Sequence, residues 1–214
     1  MKNKCIGIIL AFTLIFATGL PFTSTVYAEA MSDADFRMYA DSEDAKLLGV
    51  LGIIEQSEFF ASNEKVTRGE LAKYLTELSG LSASMLNKES MFSDVPASSA
   101  YAPYINFAVT QKYMAGYANG TFAPDDTAEV IQAFMGIVNM LGYEVYAAKY
   151  GGYPLGYQVM AKQLKLSSDI SDVNRPLMRS DLYTIMNGAL YSNVLKQKTF
   201  TNDRVEYVEG DNLL

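Results

Sequence analysis

Two arginines stand where the chain is about to enter a helix, and each reads either as a surface charge with no ligand or as a charge placed there for another use. Arg68 lies in Thr67-Arg68-Gly69-Glu70, just ahead of the apolar run Leu71 to Leu81, and Arg179 lies in Met178-Arg179-Ser180-Asp181. Thr67 and Glu70 have the spacing of a capping box, in which each side chain satisfies the other's backbone N–H. Arg68 is not needed by that cap. A cation in the first turn is disfavoured by the helix dipole, so its presence asks for another use. A guanidinium beside the free N–H groups of a helix start can grip a carboxylate through two bonds, which makes an anion site. A charge-assisted bond of that kind contributes about 1.5–3 kcal/mol.

Other chemistry is closed to the chain. It has no histidine, and Cys5 is its one cysteine. Lys2 and Lys4, the apolar stretch from Cys5 to Leu20, Pro21 and the small-residue site Val26-Tyr27-Ala28 have the order of a secretory signal peptide, with cleavage expected after Ala28. The apolar run is shorter than the roughly 18–20 residues of a spanning helix, so no integral membrane span is expected after cleavage. Cys5 leaves with residues 1–28. The remaining 186 residues then exclude Ser-His-Asp and Cys-His nucleophiles and histidine-based zinc sites. Neighbouring carboxylates such as Asp125 and Asp126, or Asp169 and Asp172, read as turn and helix-start residues and form no convergent pair for glycoside hydrolysis. No enzyme, cofactor or metal is expected. After cleavage 15 basic residues face 24 acidic ones, a net charge of −9, which argues against nucleic acid.

The elements that position the arginines come from an internal repeat. Phe60-Ala61-Ser62-Asn63-Glu64 and Phe122-Ala123-Pro124-Asp125-Asp126 match at an offset of 62, which continues through Leu75 and Ile137 to Gly80 and Gly142. Ahead of the loop, Gly52-Ile53-Ile54 matches Lys112-Tyr113-Met114 at offset 60, so the second loop is two residues longer. A weaker third copy aligns at offset 111, Arg68 falling on Arg179 and Leu75 on Met186. Each copy reads as an apolar helix, a turn-rich loop and a second apolar helix. The leading helices are expected over 45–54, 102–114 and 157–166. In the trailing helices Leu71, Leu75 and Leu78, then Ala133, Phe134, Ile137 and Met140, then Leu182, Met186 and Ala189 give one buried stripe each. Three stripes facing one another predict a mostly α, pseudo-threefold body around a shared three-helix core, with repeats at 38–81, 92–143 and 153–191. Residues 192–214 are polar, with alternation at Arg204-Val205-Glu206-Tyr207-Val208. That tail is open between a short strand, a disordered end and a linker into a further domain.

The second copy is the most informative. Phe92-Ser93-Asp94-Val95 opens it, and Ala115-Gly116-Tyr117-Ala118-Asn119-Gly120-Thr121-Phe122-Ala123-Pro124-Asp125 follows its first helix. Asn119-Gly120 is a turn signal, and on its own the loop reads as a tight connection with Phe122 packed beneath it.

Together these motifs resemble the bacterial S-layer homology domain, with its Phe-Ser-Asp-Val opening, Gly-Tyr-x-Asp-Gly-Thr-Phe-x-Pro loop and Thr-Arg-Ala-Glu helix start. The resemblance covers residues 45–191. It implies a three-pronged helical spindle of three repeats whose grooves hold secondary cell-wall polysaccharide, often carrying pyruvate ketals, and so anchor an exported protein non-covalently to the cell surface. Neighbouring surface-layer protein chains are further partners it implies. It places the main anion contacts on Arg68 and Arg179, with Asp94, Gly116, Tyr117, Asn119 and Gly120 completing the ligand-binding set. The second copy departs from the pattern, having Glu129-Val130-Ile131-Gln132 where threonine and arginine are expected, so its groove is expected to be weak or silent. The third keeps Arg179 without the cap threonine. Asn119 replaces the usual loop aspartate. The rival reading is a structural surface-layer subunit with decayed sugar grooves, and a working domain following Leu214 is a third expectation.

Overall fold

The computed structural model describes residues 43–55, 58, 63–87, 89–167, 170–199 and 205–214. The signal-like segment 1–28, residues 38–42 at the start of the first repeat, Phe60 to Ser62, Asp169 and Arg204 lie outside them. The described chain is mostly α. Its helices are α1 Glu43–Val50, α2 Arg68–Leu78, α3 Ala102–Thr110, α4 Val130–Met140, α5 Glu144–Lys149, α6 Leu155–Gln163 and α7 Arg179–Leu190, followed by strands β1 Leu195–Thr199 and β2 Val205–Glu209. None of the helices among the described residues is long and apolar enough to cross a membrane.

The leading helices α1, α3 and α6 stop three to four residues earlier than their apolar patterns suggest. Each is ended by a left-handed residue at the same place, Gly52 at φ 71°, Lys112 at φ 61° and Lys165 at φ 56°. The next residue's N–H then turns back onto the helix: Ile53 donates to Leu48 O at 2.9 Å, Tyr113 to Ala108 O at 2.8 Å and Leu166 to Ala161 O at 2.9 Å. This is the Schellman closure. Glycine adopts it freely, whereas the two lysines are held there at roughly 1–2 kcal/mol each.

Each leading helix packs on a trailing helix of a different segment: α3 on α2, α6 on α4, and α1 on α7. Helices α2 and α7 also meet α4. The expected stripes are what they bury: Leu71, Leu75, Leu78, Ala133, Phe134, Ile137, Leu182, Met186 and Ala189 are all in the core, with Met140 half-buried at its edge. Burial of a leucine or isoleucine side chain stabilises by about 1.5–3 kcal/mol. Helix α4 approaches α2 closely enough that a Cβ on Gly136 would lie 2.5 Å from Leu75 Cδ1.

The short segments before α2, α4 and α7 are extended and bond to one another. Val66 N donates to Leu177 O at 2.9 Å, Leu177 N to Ala128 O at 2.8 Å, and Ala128 N to Val66 O at 2.9 Å, a closed triangle of residues spaced by the offsets 62 and 111. Isolated bridges Lys65 to Met178, Thr67 to Thr127 and Glu129 to Pro176 flank it. The triangle satisfies three backbone pairs that the chain could not otherwise bury.

The tail takes the strand alternative. β1 and β2 pair antiparallel with Leu195 opposite Glu209, and the hairpin docks through Leu195 N to Leu141 O at 2.7 Å and through Tyr207 against Tyr146, ring centroids 6.3 Å apart.

Candidate functional site

Arg68 begins α2, with Thr67 as N-cap. The capping box is formed: Glu70 N donates to Thr67 Oγ1 at 3.2 Å and Thr67 N to Glu70 Oε2 at 2.8 Å. The N–H groups expected to be free at this helix start are not free. Arg68 N donates to Asp126 O at 2.9 Å and Gly69 N to Pro124 O at 2.8 Å, so the loop of the second segment has taken the donors that an anion would need.

The guanidinium is drawn into the same loop. Arg68 is only 4% exposed. Its Nε donates to Phe122 O and its Nη2 to Ala115 O, both at 2.9 Å, and its Cζ lies 4.8 Å from the Tyr117 ring centre and 4.6 Å from that of Phe122. Burial pushes the guanidinium below its ordinary value, while Tyr117, Asp126, Asp94 and Tyr153 around it favour the charge. It stays a cation, stabilised by carbonyl dipoles and by the faces of two rings. This is the other use that its place in the first turn asked for.

Asp94 faces the same loop from the far side. Its carboxylate accepts Phe122 N at 2.9 Å and Ala123 N at 2.6 Å, the latter from a residue at φ 54°. Desolvation alone would raise this carboxyl, yet the N–H bonds from Phe122 and Ala123 hold it below the usual carboxylate range. Gly116 is required by contact: a Cβ there would lie 2.1 Å from Phe92 Cε1 and 3.0 Å from Thr121 O. Asn119 Oδ1 accepts Thr121 N at 3.1 Å and Thr121 Oγ1 at 2.7 Å, and Gly120, at φ 81°, donates to Tyr117 O at 3.0 Å. The structure thus brings Arg68, Asp94, Gly116, Tyr117, Asn119 and Gly120 into one construction. Five of them shape or brace the loop. Tyr117, 48% exposed, presents itself to solvent.

Sequence reasoning did not single out Tyr153. It lies in the connector 150–154, is 54% exposed, and is close enough to feel the charges of Glu129 and Arg68 and the Tyr117 hydroxyl. Tyr157 stands beside it, ring centroids 6.3 Å apart. The Gly-rich composition of that connector, which reads only as a linker, is what lets it fold tightly: Gly152 N donates to Ala147 O at 2.9 Å, and a Cβ on Gly156 would lie 1.9 Å from the same oxygen.

Arg179 is in a different place and a different setting. It is 8% exposed, its Nη2 meets Glu70 Oε1 at 2.5 Å, its Nη1 meets the Tyr74 hydroxyl, its Nε lies 3.5 Å from Glu64 Oε2, and Glu58 Oε1 is 4.0 Å from Nη1. Tyr74 OH in turn donates to Glu58 Oε1 at 2.8 Å, Lys73 Nζ lies 3.4 Å from that oxygen, and Tyr183 OH donates to Glu58 O at 2.8 Å. Desolvation would lower Arg179, but Tyr74 and Glu70 raise it above its ordinary value. Burial, with Glu58 adding to it, raises the Tyr74 phenol, and burial pushes Tyr183 up to about 12. The charge of Arg179 is met within the chain, at the contact between the segments that begin α2 and α7. At the equivalent point of the second segment Val130 is wholly buried, with its N–H given to Arg175 O at 3.2 Å.

Comparison with known proteins bears on the same loop. Residues 92–128 match the family model of the S-layer homology domain, from Phe92 through the Asp94 clamp and the loop around Arg68. The chain is 24% identical over 209 residues to the middle cell wall protein of Brevibacillus brevis strain 47, covering 94% of this chain and 20% of that protein. It is 22% identical over 207 residues to the surface layer protein of Brevibacillus choshinensis, covering 94% of this chain and 18% of that one. The chain therefore spans about a fifth of the length of these curated relatives. An S-layer homology match inside a chain similar to a cell-wall and a surface-layer protein supports a location at the cell wall or surface.

Proposed function

We propose that this chain is a non-enzymatic anchoring module that holds an exported protein on the cell surface by binding secondary cell-wall polysaccharide in a groove between its repeats. The observation that carries this reading is the loop of residues 115–124, matched by the S-layer homology model and built around Arg68 of the preceding segment with Tyr117 facing outward. The pseudo-threefold spindle is part of the proposal. It is supported by the backbone triangle of Val66, Ala128 and Leu177 and by the pairing of α3 on α2, α6 on α4 and α1 on α7. In this reading the working groove lies at Arg68, with Asp94, Gly116, Asn119 and Gly120 holding its loop in shape. Arg179 closes the body, and the Val130 junction is silent.

The test is co-sedimentation with purified cell-wall sacculi, intact or chemically stripped of their secondary polysaccharide. Retention on intact and not on stripped sacculi is expected, and equal retention on both refutes the reading. The name of the surface layer protein relative favours a second reading, a structural subunit whose repeats contact other chains. Concentration-dependent assembly without any wall material, seen by light scattering, would select it.

A further inference from the structure

The dipeptide Asn-Gly occurs twice in the chain, as Asn119-Gly120 in the loop after α3 and as Asn187-Gly188 inside α7. An asparagine side-chain carbonyl is open to attack by the next backbone nitrogen, and most so before glycine, which puts no Cβ in the way. The two copies sit in opposite settings. In the loop both residues are exposed, and a Cβ on Gly120 would meet nothing within 4 Å, so the space beside its nitrogen is open. Gly120 N is held only by its surface turn bond to Tyr117 O at 3.0 Å, which opens at little cost. Asn119 Oδ1 accepts Thr121 N at 3.1 Å and Thr121 Oγ1 at 2.7 Å. Two donors on one carbonyl oxygen draw charge from Cγ and stabilise the oxyanion that forms when a nucleophile adds there. In α7 the same dipeptide is closed in. A Cβ on Gly188 would lie 2.9 Å from Leu166 Cα and 3.0 Å from Lys165 O. Asn187 Nδ2 donates to Asp44 Oδ1 at 2.6 Å, while its Oδ1 is buried with no hydrogen-bond partner among the described residues. A helical side chain also leans toward the helix N-terminus, away from the following N–H.

We infer that Asn119 is a site of spontaneous deamidation and Asn187 is not, the loop from Tyr117 to Thr121 promoting a reaction that α7 prevents. Gly120 N gives its proton to hydroxide and bonds to Asn119 Cγ. The Cγ–Nδ2 bond then breaks, and the nitrogen leaves as ammonia with a proton taken back from water. Water opens the resulting five-membered imide at either carbonyl. One opening gives aspartate at 119, whose carboxylate accepts the same two donors of Thr121. The other gives isoaspartate, in which the chain runs through the former side chain and is one atom longer between positions 119 and 120. That extra atom displaces the bond from Gly120 N to Tyr117 O and the bond from Tyr117 N to Thr121 O at 2.8 Å. Both belong to the loop whose Ala115 O and Phe122 O hold Arg68. The reaction needs no enzyme or partner and is independent of any anchoring function.

The experiment incubates the full chain at mildly alkaline pH, folded and in guanidinium chloride, and follows the amide-to-acid mass change at each dipeptide by peptide mapping. In the folded chain Asn119 is expected to convert at least about tenfold faster than Asn187, since α7 must open before its dipeptide can react. In guanidinium chloride, where neither dipeptide keeps its surroundings, the two rates should agree within about threefold. Thr121→Val keeps the N–H donor and removes the hydroxyl. Where that variant melts as the parent does, its Asn119 should convert about two- to tenfold more slowly, the worth of one hydrogen bond. Conversion of Asn119 no faster than that of Asn187 in the folded parent overturns the site. An Asn187 as slow in guanidinium chloride as in the folded chain would trace the difference to neighbouring residues and overturn the protection by α7. A folded Thr121→Val chain that converts as fast as the parent overturns the promotion by the loop.

Discussion

Replacing Arg179 by methionine removes a cation from between Glu70, Glu58 and the Tyr74 hydroxyl while keeping most of the side chain's volume. The loss follows from who is left behind. Glu70 and Glu58 side chains are each 18% exposed, so they lose their partner in a setting that water screens poorly, whereas Glu64 is 67% exposed and rehydrates at little cost. Removing one member of such a buried pair costs about 3–5 kcal/mol, and the partial exposure of the two carboxylates places Arg179→Met at the lower end, about 3 kcal/mol. For a chain of this size that is a fall in Tm of about 6–12 °C. Urea melts of Arg179→Met, Glu70→Gln and the double variant give the coupling directly. Glutamine at 70 keeps the acceptor for Thr67 N and takes away the stranded charge, so the double variant should recover about 1–2 kcal/mol relative to the additive sum. The same samples, held well below their melting temperatures, are then sedimented with sacculi. The reasoning requires unchanged affinity per folded molecule. A variant destabilised by less than about 1 kcal/mol that loses tenfold or more in sacculus binding would show Arg179 to be a ligand contact and not the residue that joins the first and third segments.

Two further outcomes concern the loop around Arg68. Gly116→Ala forces a methyl group to within 2.1 Å of Phe92 and 3.0 Å of Thr121 O, and the Phe92 ring is itself packed, tilted by 47°, against Phe122 at 5.5 Å; a loss of about 1–3 kcal/mol in chemical denaturation is expected, together with weaker sacculus binding. Asp94→Asn should cost about 1 kcal/mol at neutral pH, a figure discounted for the exposure of the carboxylate. Because the folded-state carboxyl titrates below its ordinary value, Asp94 contributes fully above the usual carboxylate range and loses that contribution as pH falls through its lowered folded value. Parent and variant melts should therefore draw together as pH falls from the usual carboxylate range through the lowered folded value, and a gap that widens on acidification would refute the assignment.

How much of this was legible beforehand depends on whether an element announces itself through period or through closure. Periodicity carried the trailing helices: the apolar residues at 71, 75 and 78, and their counterparts, are buried where their spacing puts them. Thr67 and Glu70 were readable because a capping box is local, four residues acting on one another. The leading helices ran too long because Lys112 and Lys165 carry no sign of a left-handed turn; only the alignment of Lys112 with Gly52 hinted at it, and tertiary packing holds those residues in that conformation. Tyr153 was invisible for a related reason, since a Gly-rich connector is compatible with slack linker and with tight fold alike, and contact with Ala147 decides between them.

The arginines show the same division most clearly. An arginine in a first turn is an anomaly that sequence can detect, and a helix N-terminus supplies a plausible reason for it in a bound anion. That argument treats the helix end as if it faced water. Here the loop of the second segment closes over the first turn of α2, with Pro124 O and Asp126 O on its N–H groups and Ala115 O and Phe122 O on its guanidinium, so four backbone oxygens answer the charge that a ligand was expected to answer. A repeat protein needs that junction between successive units wherever it continues, and a cation that reaches across it is as much a consequence of repetition as of recognition.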